Sequence, residues 1–231
     1  MATHDECMQD LKAYGFNHLT RYYASLLGRT ISFFDWVVFP KKRIPVNFIK
    51  TNSRRVHNFG WIAHYDKKHK NNKQPDPELY SIRVAQMKYF QKRHTSLLKN
   101  FKHGFKKRNN PRLTLMQRVT MIAAHEVRHR VQFNKSIKRF TRQRKKGLSK
   151  IEKRIHKYLT YLREESLKLA KRRSHSYKRY LADPIEFDAK FIENLMLCLI
   201  GRRNIFGKDR HLLKDPAFIN QVRAVLLHEP A

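Results

Sequence analysis

The chain has 231 residues, of which 51 are Lys or Arg and 18 are Asp or Glu, giving a formal net charge of +33 and a sequence pI near 10.6. A hydrophobic content of 41% and an aromatic content of 12% exclude a disordered basic tail, which would lack the material for a core. The charge far exceeds the roughly 2–8 that keeps a small domain soluble, and so points to a polyanionic partner.

The excess falls in blocks. Residues 1–40 sum to −1, residues 41–112 to +17, residues 113–129 to +1, residues 130–180 to +16 and residues 181–231 to 0. Two basic blocks therefore flank a near-neutral apolar segment, and a balanced segment closes the chain. With only 7 Gly and 8 Pro, unclustered, and no repeat, a single domain over 1–231 is expected.

In chain order, apolar positions at helical spacing (Leu11, Leu19, Tyr22, Tyr23, Leu26) predict a helix over 5–27 with Gly28 as its stop. From 30 to 65 the runs Ile31–Phe39, Ile44–Ile49 and Val56–Tyr65 are β-branched and aromatic. Breaks at Pro40, Pro45 and Thr51-Asn-Ser53 between them predict a small antiparallel sheet. Asp76-Pro77 has the form of an N-cap with proline at the first helical position, and predicts a helix to about Phe101.

After Asn110-Pro111, a capping-box pair at Thr114 and Gln117 opens a buried helix through Leu115, Val119, Ala123, Val127 and Val131. Ile151, Ile155, Tyr158, Leu159, Leu162 and Leu169 form one stripe of an amphipathic helix over 150–173 whose outer face is basic. Asp183-Pro184 and Asp215-Pro216 start two more helices, ending near Gly201 and His228. The fold class is therefore α+β and mostly helical, with an N-terminal sheet before the buried helix.

That helix contains His125-Glu126-Val127-Arg128-His129, a His-Glu-x-x-His motif. Four residues span slightly more than one turn, so the two imidazoles share a face and can grip one metal ion. Glu126 stands beside that metal, where it can act as general base on a water. The alternative is structural: two histidines hydrogen-bonded in or near the core, and Glu126 paired with Arg130 at i+4. Arg128 and Arg130 either face a cleft for acidic substrate or continue the basic surface.

A catalytic zinc ordinarily takes three protein ligands. A third motif histidine would stand at 135 after a glycine at 132, but those positions are Lys135 and Gln132. The remaining candidate is the acidic cluster Asp183, Glu186, Asp188, with Glu186 as ligand and Asp188 as acceptor for a ligand histidine. Helix capping by Asp183 and Glu186 at three-residue spacing explains the same acids without a metal. His156 and His175 are rival ligands.

The strings Ala124-His-Glu-Val-Arg-His-Arg-Val-Gln132 and Tyr180-Leu-Ala-Asp-Pro-Ile-Glu-Phe-Asp-Ala189 resemble the zincin metallopeptidases, particularly the glutamate-zincin type and the small metallopeptidases of phages and mobile elements. The resemblance covers about 20 of the 231 residues. It implies Zn2+ on His125, His129 and Glu186, Glu126 as base, and a preceding sheet whose edge strand holds an extended peptide. One departure stands out: the thermolysin-like pattern has aspartate four residues after the ligand glutamate, where this chain has Lys190. Tyr180, Tyr177 and His175, just before the acidic cluster, are candidates to stabilise an oxyanion.

The basic blocks carry patches at Lys106-Lys107-Arg108, at Arg142, Arg144, Lys145 and Lys146, and at Lys171-Arg172-Arg173, some with aromatics interleaved. Contact with the phosphate backbone of nucleic acid, independent of sequence and sensitive to salt, is the physical expectation. Cys7 and Cys198, with no Cys-x-x-Cys pair, support neither a disulfide framework nor a thiolate zinc site. No apolar run is long enough to span a membrane, and Met1–Asp10 has no basic n-region. These features predict a cytoplasmic, nucleoid-associated or virion-associated protein that is not secreted by a standard signal. Two functional classes are compatible with the sequence: a zinc metallopeptidase working near nucleic acid, and a non-enzymatic nucleic-acid-binding or virion-internal protein on a degenerate zincin scaffold.

Overall fold

The computed structural model describes residues 18–42, 44–51, 61–66, 79–85, 113–134, 147–170 and 182–228. Within them the elements run α1 (His18–Val38), β1 (Val46–Thr51), β2 (Trp61–Asp66), β3 (Leu79–Ala85), α2 (Leu115–Asn134), α3 (Lys150–Ala170), α4 (Pro184–Ile200), a 3₁₀ turn (Arg210–Lys214) and α5 (Pro216–Leu226). The class is α+β and mostly helical, as expected.

Helix α1 corrects two expectations. It continues through Gly28, and the run Ile31–Phe39 read as a strand is helical to Val38. Leu27, Ile31, Phe34 and Val38 recur at helical spacing and are buried, and Leu26, Phe33 and Val37 bury a neighbouring face. A helix buried around most of its circumference fills with aromatic and β-branched residues. Those residues imitate a strand by propensity, and tertiary packing overrides that propensity.

The sheet has the order β1-β3-β2 and is mixed, not purely antiparallel: β1 runs parallel to β3, while β2 runs antiparallel to it. Its central strand β3 falls inside the stretch expected to be helical from Asp76. Tyr80, Ile82 and Val84 put fully buried apolar side chains on one face, the two-residue period of a strand; of the positions between them Ser81 is also buried and Arg83 is exposed. Asp76-Pro77, Val56 to Gly60, Asn110-Pro111 and residues 5–17 lie outside the described residues.

The helix boundaries expected from capping agree with the structure. Thr114 and Gln117 form the reciprocal capping box, with Thr114 N–H donating to Gln117 Oε1 (2.7 Å) and Gln117 N–H to Thr114 Oγ1 (3.2 Å). Asp183 accepts from Ile185 N–H, Asp215 accepts from Ala217 N–H, and Gly201 ends α4 at φ +57°, a conformation suited to glycine. In α3 the stripe Ile155, Leu159, Leu162 is buried, but Ile151 is exposed, so the apolar face starts one turn later than its sequence suggests.

Helix α2 is central, packing on α1, β2, α3, α4 and α5. Its Val119, Ala123, Ala124, Val127 and Val131 are fully buried, as are Ala189, Ile192 and Met196 of α4. No helix among the described residues is long and apolar enough to cross a membrane.

Candidate metal centre

The motif turns of α2 and the first turns of α4 bring three side chains to one point. His125 Nε2 and His129 Nε2 stand 2.9 Å apart, with their rings edge to face. Glu186 reaches between them, Oε2 lying 3.3 Å from His125 Nε2 and Oε1 3.6 Å from His129 Nε2. Ligands on a tetrahedral zinc with bonds of about 2.0–2.1 Å lie about 3.3 Å from one another. The two nitrogens and the carboxylate fit that spacing, and they form the one such group of His, Cys, Asp and Glu among the described residues. His156 is buried in α3 and does not belong to it.

The far nitrogens decide whether the near ones can bind a metal. His125 Nδ1 lies 2.7 Å from Glu193 Oε1, an ion-pair distance without the alignment of a hydrogen bond; a carboxylate can only accept, so in the neutral ring the proton is favoured on Nδ1, which leaves the Nε2 lone pair for a metal. His129 Nδ1 lies 2.8 Å from Gln132 Oε1. The Gln132 amide nitrogen donates to Ile185 O (2.9 Å) and Asp188 Oδ2 (2.7 Å). That orients the Gln132 oxygen toward His129, which must donate from Nδ1, and its Nε2 also faces the cluster with a lone pair.

One expectation is corrected here. Asp188 does not accept from a ligand histidine: it is buried in α4, takes the Nε and Nη2 of Arg128 (2.7 and 3.0 Å), and accepts from Tyr158 O–H (3.0 Å). It reaches His129 only through Gln132. The direct carboxylate is Glu193, seven residues after Glu186 and therefore two turns along the same face of α4. Its oxygens are also bridged by Lys190 Nζ at 2.9 and 2.8 Å, so the lysine at the position where the thermolysin-like pattern has aspartate supports a different acid.

Arg128 and Arg130 neither face a cleft nor continue the basic surface, for both are fully buried. Besides Asp188, Arg128 donates to the carbonyls of Leu226 (2.8 Å) and His228 (3.0 Å). Arg130 is held by both oxygens of Asp35 in α1, donates to Lys42 O (3.0 Å) and lies over the Phe39 ring. Tyr80 O–H donates to the same Asp35 at 2.7 Å, and burial, reinforced by the Asp35 charge, pushes the phenol well above its ordinary pKa. These ion pairs hold α2 in register with α1, β3 and α4.

Glu126 is buried, and its Oε2 accepts from the backbone N–H of Tyr65 in β2 (2.8 Å). Since β2 bonds to β3 along its other side, this donor points to the outer edge of the sheet formed by the described residues. In the metal-free chain, burial opposes a charge on His125. The Glu186 and Glu193 carboxylates beside the ring and the negative field of Glu126 outweigh it, raising the pKa from 6.5 to about 9. Three carboxylates around two imidazoles thus retain a proton when no other cation is present.

Tyr177, Tyr180 and His175, proposed as oxyanion partners, lie outside the described residues. So do Lys106, Lys107, Arg108, Arg142, Arg144, Lys145, Lys146, Lys171, Arg172 and Arg173. Glu193 and Gln132 were legible as residues two turns from Glu186 and one turn from His129; Asp35, 95 residues from Arg130, had no local signal.

No protein-family model matches the chain, and neither does any curated protein or solved structure.

Proposed function

We propose that the chain is a zinc-dependent hydrolase of peptide bonds that associates with nucleic acid. The observation that carries the first part is the convergence of His125 Nε2, His129 Nε2 and a Glu186 carboxylate at ligand spacing, with the Glu193 carboxylate beside the far nitrogen of His125 and the Gln132 oxygen bonded to that of His129. Zinc held there would supply Lewis acidity, bringing a water toward a pKa of about 7 and polarising a carbonyl. Glu126, one residue from the first ligand, is the group that takes a proton from water and returns it to the leaving amine.

The edge of β2 supports a peptide as substrate. An extended chain can add to a strand edge by main-chain hydrogen bonds; among the described residues no strand pairs with the outer side of β2, and the Tyr65 N–H there engages the Glu126 carboxylate. A peptide laid along β2 would therefore run beside the general base. The second part of the proposal rests on the net charge of +33, which a hydrolase acting on free peptides does not need.

The test is metal analysis of untagged chain together with cleavage of an unfolded, fluorescently labelled protein. The expected outcome is about one zinc per chain, lost in His129→Ala and Glu186→Ala, and a Glu126→Gln variant that keeps zinc and loses cleavage. A folded chain that holds no zinc, yet binds DNA, would instead favour a non-enzymatic nucleic-acid-binding protein on a degenerate scaffold of the same kind.

A further inference from the structure

Residues 181–231 carry seven Lys or Arg and seven Asp or Glu, and by sum they are neutral. The fold separates the two signs. Of the six described acids, Asp183 caps α4 and accepts from Ser166, Glu186 stands in the metal cluster, Asp188 pairs with Arg128, and Glu193 lies between His125 and Lys190. Asp209 accepts from Asn204 N–H (2.6 Å), and Asp215 caps α5. Every one is spent inside the fold.

The cations gather instead in the connection from α4 to α5, residues 201–214. Arg202, Arg203, Lys208, Arg210 and Lys214 are all exposed there. Arg203 donates to Leu199 O; among the described residues none of the other four has an ion pair or hydrogen bond from its side chain. Phe206 of the same segment carries Arg29 of α1 over its ring at 4.6 Å.

The segment is a built platform. Ile205 is fully buried beneath it, Asn204 O accepts from Gly207 N–H and Asp209 N–H, and Gly207 O accepts from Arg210 N–H. The Asn204 side chain packs over Gly207, where a Cβ would stand 2.5 Å from it and displace it. Unpaired, exposed cations on a fixed turn cost repulsion and return nothing to the fold.

We infer that the 201–214 turn is a docking surface for the phosphate backbone of nucleic acid. This deepens the polyanion half of the reading above and rests on it, but not on the metal. Lys and Arg without aromatic neighbours free for stacking bind phosphates without reading bases. Gly201 is 15 residues from Glu186 along α4, about 22 Å of helix rise. Nucleic acid on the turn therefore lies at the opposite end of α4 from the metal cluster and leaves it open.

The test uses full-length chain, a 20-base-pair DNA duplex and a single-stranded RNA of equal length. The Arg202→Gln/Lys208→Gln/Arg210→Gln variant is expected to lower the slope of log affinity against log salt by about 2–3 on duplex, which at 0.1 M salt is a loss on the order of a hundredfold. Zinc content and the circular dichroism spectrum are expected to stay unchanged. Acetylation footprinting gives a second readout that the rest of the basic chain cannot mask: DNA should protect Lys208 and Lys214. Unprotected Lys208 and Lys214 with an unchanged slope, in a chain that still binds duplex, would overturn the turn as the surface. Failure of the wild-type chain to bind either nucleic acid, or binding only to vesicles containing phosphatidylserine, would overturn the polyanion reading as well.

Discussion

Asp188→Asn keeps the shape of a residue and removes one charge, and it isolates what the Arg128 pair does for this fold. Arg128 is fully buried and Asp188 nearly so, and the Nε and Nη2 of the guanidinium both end on that carboxylate. The substitution leaves a buried cation with no counter-charge, facing only neutral acceptors: the amide oxygen that replaces the carboxylate and the carbonyls of Leu226 and His228. An uncompensated buried charge of this kind costs about 3–5 kcal/mol, against a total of about 5–15 kcal/mol for an ordinary domain. Urea unfolding followed by far-UV circular dichroism, with saturating zinc, should show that loss.

Removing both charges in Arg128→Met/Asp188→Leu should cost less than the two single substitutions added together, because no bare charge remains. Recovery should be partial: Tyr158 O–H loses its acceptor and Gln132 loses one of two. A loss below about 1 kcal/mol in Asp188→Asn, or strict additivity in the cycle, would refute a buried, desolvated pair. Lys168→Ala, which removes an exposed ion pair with Glu165, serves as the control and should leave the midpoint unchanged.

Zinc loading should be coupled to protons. With the His125 pKa near 9 in the metal-free chain, the imidazole is charged at pH 7 and must lose its proton to bind. Titration in weak buffer should release about one proton per zinc, and apparent affinity should rise about tenfold per pH unit up to about 9; release of none would refute the assignment. The sign for stability is opposite. A raised pKa stabilises the metal-free fold fully below 6.5, and that contribution is lost as pH rises through about 9, so urea midpoints without zinc should fall across this window. Tyr80→Phe removes a buried hydrogen bond to the Asp35 carboxylate and should cost about 1.5–3 kcal/mol, measured by thermal or urea unfolding. Asp183→Ala removes the N-cap of α4 and should cost about 1 kcal/mol by the same measurement.

The sequence by itself determined what depends on neighbours in the chain. The four-residue spacing of His125 and His129 puts them on one face of any helix, the Thr114–Gln117 box and the two Asp-Pro starts set helix ends, and each needs only residues within a turn or two. Glu186 was legible as a candidate third ligand because it is acidic in a neutral segment. That is a weaker signal, equally explained by capping, and its approach to both Nε2 atoms is what favours the ligand reading.

Tertiary structure decided the rest wherever burial or distant partners set the outcome. Ile31–Phe39 reads as a strand because aromatic and β-branched residues favour one, and becomes helix because α1 is packed on most sides. Asp188 looks like the partner of a histidine and is taken by Arg128, a residue whose burial the sequence does not disclose. Charge behaves likewise: residues 181–231 sum to zero, but folding draws the acids inward to caps, arginines and histidines and leaves five exposed cations between α4 and α5. Net charge is a property of the sequence; its distribution over a surface depends on which charges the fold has paired inside.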